Sequence, residues 1–151
     1  MPNGYFSVKE LQAIKLAEGQ KVKAVIEHYW HNLPADFSFL SWVELQFEND
    51  SKLTFATDED LSGLAIVDFF IEVEEDQAAA LGGQVLIQSD DVSETALWKS
   101  VIGSTLLEVG VVKEAENWYK STQALLKFET NQVIVEKSEE EEGVVVGPYT
   151  M

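Results

Sequence analysis

Only two histidines occur in the chain, His28 and His31, and they form an H-x-x-H pair around Tyr29 and Trp30. A zinc centre needs three or four ligands that converge, and on a strand residues three apart point to opposite faces. There is no cysteine to complete a shell, so carboxylates would have to do so, and the pair reads more simply as a strand-end pair beside aromatics that cover the core. The acidic loops Asp58, Glu59, Asp60 and Glu139, Glu140, Glu141, Glu142 offer hard oxygen ligands. Neither follows the D-x-[DN]-x-[DN]-G spacing of a calcium loop, so solvated loops are expected there. No G-x-S-x-G, P-loop or G-x-G-x-x-G pattern is present, and Gly82-Gly83 reads as a turn. With 27 acidic residues, no one pair of carboxylates stands out for acid and base work. The sequence identifies no catalytic residues and implies no metal or other cofactor. Among the large side chains, Trp42 and Trp98 sit in apolar stripes and are expected in the core. Trp30 and the Trp118-Tyr119 pair fall at strand exits, where they line a pocket, anchor an interface or cap a sheet.

The charge balance excludes some functions. The 27 Asp and Glu face 10 basic residues, giving a net charge of −17, and all of the basic residues are lysine. Nucleic-acid binding depends on neutralising phosphates with Lys and Arg, so an acidic chain without arginine fits neither that role nor an anionic membrane surface. Its field favours a cationic partner, and it also keeps a small protein soluble. An apolar content of 46% places the chain among folded proteins rather than disordered ones. A secretory signal is not visible at the N-terminus, and no apolar run reaches the roughly 18 residues of a membrane helix. A cytoplasmic protein is the expectation.

Two passages of the sequence resemble each other. LQFENDSKLTF from Leu45 returns as LKFETNQVIV from Leu126, and TDEDLSG ending at Gly63 returns as SEEEEG ending at Gly143. Ser7 with Glu10 forms a capping box and Gly19 supplies a left-handed stop, so residues 7–18 are predicted helical, with Val8, Leu11, Ile14 and Leu16 as the apolar stripe. Residues 21–30 then alternate as a strand with Val22, Ala24 and Ile26 on the apolar side. Residues 32–39 read as a connection, and 42–48 with 52–57 as a hairpin through Asn49-Asp50-Ser51. A long strand follows from Leu64, then a short helical turn at 76–81. The second half repeats the order. Asp91 or Ser93 caps a helix through Ile102, and Gly103 takes the place of Gly19. Residues 104–113 form a strand, Trp118-Tyr119 lie in a connection, and 123–129 with 132–137 form a second hairpin. A last strand, 144–149, is broken by Pro148 and therefore belongs at a sheet edge.

These elements predict one domain of class α+β, with two pseudo-symmetric halves, 1–81 and 82–151. Each half carries a helix and antiparallel strands, and together they form a strongly bent sheet or a partly closed barrel. In a true repeat the shared features are scaffold, and the differences between copies are where function is sought.

The stretch from Gly103 through LLEVGVV to ALLKFETNQVIVE, with its first copy from Gly19 through VKAVIEHYW to VELQFENDSKLTF, resembles small bacterial domains of unknown function. In those domains a Gly-led strand precedes a hairpin of the form L-x-F-x-[DN]-x-x-L-x-[IF]. Many of them are suspected immunity proteins, antidotes made beside secreted toxins. The usual Asp-Gly at the hairpin turn is replaced here by Asn49-Asp50-Ser51 and Thr130-Asn131. The resemblance implies an inhibitor or immunity-type protein and supplies no catalytic residues. On this reading Asp58, Glu59, Asp60 and the run Glu139, Glu140, Glu141, Glu142 would contact a basic partner, with Trp118 and Tyr119 as apolar anchors. The alternative is a small-molecule-binding or catalytic domain with a pocket between the halves, lined by His28, Trp30, His31 and Trp118. A third reading is a structural subunit that forms a homodimer through an exposed strand edge.

Overall fold

A computed structural model describes residues 4–57, 62–66, 82, 84–116, 118–138 and 143–149. The long strand expected after Leu64 is described only for β4 (Leu64–Ile66), and the helical turn expected at 76–81 lies outside the described residues. The helix α1 (Val8–Ala17) starts on the capping box read from the sequence. Ser7 Oγ accepts from the Glu10 backbone N–H, and the Glu10 side chain accepts from Ser7 N–H. Glu10 Oε2 also accepts from Ile66 N–H at 2.8 Å, tying the helix start to β4. Gly19 follows with φ +89°. The buried face of α1 is Ile14 and Ala17, while Val8 and Leu16 of the expected stripe are exposed.

The expected α+β class does not hold. Of the described residues 60% are in strands and 8% in helix, so among them a single helix accompanies two antiparallel sheets, and the halves are not each a helix with strands. One sheet runs β4-β3-β2-β1-β5 and the other β6-β7-β8-β9, and they do not close into a barrel. The strands are β1 (Val22–Asn32), β2 (Phe37–Phe47), β3 (Lys52–Thr57), β5 (Val85–Asp91), β6 (Leu106–Ala115), β7 (Trp118–Phe128), β8 (Gln132–Lys137) and β9 (Val144–Pro148). Strand β5 belongs by sequence to the expected second half, 82–151, yet it pairs with β1 at the edge of the first sheet. Trp118 and Tyr119 open β7 instead of lying in a connection, and Phe37 to Phe39 likewise belong to β2. Pro148 lies in β9, at the edge of its sheet, where a residue without an N–H is tolerated.

The second expected helix, through Ile102, is a succession of turns. Its backbone bonds are mostly of the i to i−3 kind, as in Trp98 N–H to Thr95 O at 3.2 Å and Val101 N–H to Trp98 O at 2.9 Å. The side chains that were expected to cap a helix are engaged with the sheet. Ser93 Oγ accepts from Val25 N–H at 3.0 Å, and Asp91 closes a local turn on Ser93 N–H. Trp98 and Val101 are then pulled fully into the core.

A second correction concerns strand alternation. In β1 the register slips between Val22 and Ala24, and in β6 between Leu106 and Glu108. Such bulges put two residues opposite one, so Val22 and Val25 are both buried, and so are Leu106 and Val109. Lys23 and Leu107 are left outside, and Ala24 and Ile26 are not the core-facing set.

The halves meet where α1 and the turn segment end. Gly19 N–H donates to Leu106 O at 2.7 Å and Leu106 N–H to Gln20 O at 2.9 Å. In return, Gly103 N–H donates to Val22 O at 2.8 Å and Val22 N–H to Ser104 O at 3.0 Å. Lys21 and Thr105 face each other across this bridge. Residues 19–22 and 103–106 exchange roles, as a local two-fold axis requires. The next hairpins close on the same bridge, with Glu48 N–H on Lys21 O and Glu129 N–H on Thr105 O. Core residues from both sheets and α1, among them Phe6, Ile14, Phe47, Phe55, Trp98, Leu126 and Val135, form one cluster.

A second pair of matched glycines makes the same kind of exchange. Gly63, before β4, rests on Ser121 of β7, and Gly143, before β9, rests on Leu40 of β2. A Cβ at Gly143 would fall on the Leu40 carbonyl oxygen and 2.7 Å from Phe39 Cδ2, in a backbone at φ +105°. At Gly19 the φ is also positive, but nothing lies within 4 Å of such a Cβ. Gly19→Ala should therefore cost only the left-handed penalty, about 1 kcal/mol. Gly143→Ala adds overpacking against backbone and should cost about 3 kcal/mol or more. Urea unfolding midpoints of the two variants check that order.

Candidate functional site

Beyond its bulge, β1 alternates cleanly. Val25 and Glu27 face the core shared with the second sheet, while Ile26, His28 and Trp30 face the other side. The register sets His28 opposite Trp42 of β2 and opposite Ser89 of β5. Ile26 lies opposite Glu44, two residues further along β2. Cross-strand neighbours on one face are within side-chain reach, so four residues from three strands converge.

The geometry of this group is specific. His28 Nδ1 lies 2.6 Å from Ser89 Oγ, and His28 Nε2 lies 3.2 Å from Glu44 Oε1. The imidazole stacks on the Trp42 indole, with centroids 4.4 Å apart and planes inclined by 14°. Gln46 Nε2 donates to Glu44 Oε2, and Lys52 Nζ stands 3.6 Å from the same oxygen. His28 and Glu44 are buried, while Ser89 is exposed on the edge strand. The bond to His28 is the main reason the Glu44 carboxyl is lowered to about 2, with Gln46 and Lys52 adding to it and burial opposing it. Glu44 is therefore ionised at neutral pH. A buried carboxylate keeps its charge only when hydrogen bonds and opposite charge replace water.

Glu27 is the second buried acid, on the core face. Tyr29 Oη donates to its Oε1 at 2.7 Å and Trp98 Nε1 to its Oε2 at 3.1 Å. This carboxylate fastens the turn segment to the first sheet. Burial foremost, then the bond to Glu27, pushes the Tyr29 hydroxyl well above the ordinary tyrosine range.

The residues singled out in the sequence are distributed as follows. His28 and Trp30 share a face of β1. His31 lies on the opposite face, stacked near Tyr29 and hydrogen-bonded to Gln88 Oε1 at 3.1 Å. Trp118 belongs to the second sheet, 40% exposed, with Tyr5 edge-on at 5.0 Å. Tyr119 is partly buried beside it, and its carbonyl accepts from Phe6 N–H. Asp58, Glu59, Asp60, Glu139, Glu140, Glu141 and Glu142 lie outside the described residues. Among the described residues, no group of three His, Asp or Glu is placed to hold a metal ion, and no helix is long and apolar enough to cross a membrane. Sequence reasoning missed Glu44 and Ser89. The only available signal was that Glu44 alternates with apolar neighbours, which marks a face without saying what meets it.

No family model matches the chain, and no curated protein or solved structure matches it either.

The buried pair makes a prediction about acid stability. The folded-state pKa of Glu44 lies below its usual 4.5, so its contribution is complete above that value and is lost as pH falls toward about 2. Glu44→Gln should flatten that part of the stability curve. Glu44→Ala, which leaves the buried His28 Nε2 without its acceptor, should cost roughly 1–3 kcal/mol at neutral pH. Urea titrations across this acid range check both.

Proposed function

We propose that the chain is an acidic binding protein of the inhibitor or immunity type, which masks a basic surface such as the active site of a nuclease. The observation that carries this reading is the charge: −17, with 27 acids, 10 lysines and no arginine. Four of those lysines, Lys23, Lys52, Lys120 and Lys127, stand in ion pairs with carboxylates of the same chain. They are thus partly neutralised locally, which leaves the excess acid to set the outer field. Carboxylates imitate the phosphates that a nuclease site grips, and such a field speeds encounter with a cation-rich partner. Asp58, Glu59, Asp60 and the run Glu139, Glu140, Glu141, Glu142 are the acidic contacts in this reading. Trp118, which is exposed and packs edge-to-face with Tyr5, supplies an apolar anchor next to Tyr119. The same reading assigns the protein to the cytoplasm, where an antidote meets its toxin.

Affinity capture from the source organism at low and then raised salt tests this. A stoichiometric basic partner that is inhibited by the protein, and released as salt rises, is the expected result. No retained partner at low salt, together with a specific metabolite recovered from the purified protein, would overturn it.

A further inference from the structure

A serine hydroxyl is a poor nucleophile until a base takes its proton, and the base works best when a third group fixes its tautomer. Ser89, His28 and Glu44 are arranged in that order. The Glu44 carboxylate can only accept, so His28 Nε2 carries the hydrogen and donates to Oε1 across 3.2 Å. The Nδ1 lone pair is then left facing Ser89 Oγ at 2.6 Å, where the hydroxyl donates to it. Stacking on Trp42 holds the imidazole plane, and Gln46 with Lys52 holds the far carboxylate oxygen. The base and its carboxylate are buried, and the nucleophile stands in solvent on the edge strand. An electrophile therefore reaches Ser89 without having to enter the sheet.

We propose that Ser89 is an activated nucleophile toward acyl esters, with His28 as its general base and Glu44 as the residue that positions the base. This goes beyond the masking function and does not rest on it. Ser89 Oγ attacks the ester carbonyl while its proton passes to His28 Nδ1, and a new Oγ–C bond forms. The tetrahedral adduct collapses, the C–O bond to the leaving alcohol breaks, and that oxygen takes the proton from Nδ1. Water then repeats the sequence on the acyl-serine and releases a carboxylic acid. No oxidant or reductant is involved. Asp91 is exposed on the same side of β5, two residues from Ser89, and its charge disfavours anionic substrates. The class that fits is an uncharged or cationic ester.

The test uses the full chain with a tagged fluorophosphonate, which labels serines activated by a base, and with 4-nitrophenyl acetate as an ester. Mass mapping should place the adduct on Ser89. Ser89→Ala alters an exposed side chain, so it should keep the wild-type circular dichroism and lose both the label and the esterase activity. His28→Gln should slow labelling by about a hundredfold, in the range general bases contribute. Glu44→Gln should slow it less and change the pH profile of labelling, which a purely stabilising role would not do. Absence of a Ser89 adduct above that of heat-denatured protein, or ester hydrolysis by Ser89→Ala at the wild-type rate, would overturn the proposal.

Discussion

The rest of the structure depends on four backbone hydrogen bonds, those exchanged between residues 19–22 and 103–106. They join the two sheets at the points where β1 and β6 begin, so each sheet starts from the other's backbone. Neither strand could take this position without the sharp reversal just before it, and Gly19 and Gly103 provide that reversal at φ +89° and +81°. The bridge pairs the N–H groups of Gly19, Val22, Gly103 and Leu106 with carbonyls across the junction, and a buried orphan in their place would cost more than the bond is worth. The bulges that follow in both strands then turn Val22, Val25, Leu106 and Val109 into one shared core.

This constraint also shapes the polar group on the far face of the first sheet. The bulge in β1 decides which of its side chains look away from the second sheet, and the regular register that follows it, from Ala24 opposite Gln46 to His28 opposite Trp42, sets Trp42 beside His28. Strand β5, which has no counterpart in the second sheet among the described residues, brings Ser89 to the imidazole. The two sheets therefore share their scaffold, and the His28, Glu44 and Ser89 group belongs to the first of them. In the second sheet, on the spacing that matches Val22 with Leu106 and Val25 with Val109, Val112 stands at the position of His28 and Leu125 at that of Glu44, so the pair is not reproduced there.

Much of the scaffold was legible because local chemistry carried it. The capping box of Ser7 and Glu10, the stop at Gly19, both hairpins and the edge position of Pro148 follow from residues close together in the chain. The errors arose where distant contacts decide. Residues 93–102 have helical spacing, yet Ser93 and Trp98 are committed to Val25 and Glu27, and those bonds hold the segment as turns. A bulge changes the spacing of core residues from two to three, so strict alternation misassigned Ala24 and Ile26. Alternation sets Glu44 on the face of β2 opposite Val43 and Leu45 but does not tell whether that face is wet. Its partner His28 lies 16 residues away, and Ser89 lies 61 residues from His28. Only the strand register brings them together.

The exchange at the second glycine pair has a consequence for what one half is by itself. Gly63 rests on β7 and Gly143 on β2, so β4 lies against the second sheet and β9 against the first. Each half thus closes its partner's core with its own last strand. At both glycine pairs the two sheets meet as the subunits of a two-fold dimer do, although they belong to one chain. The contacts that hold it together within one molecule are of the kind a domain-swapped assembly would make between two.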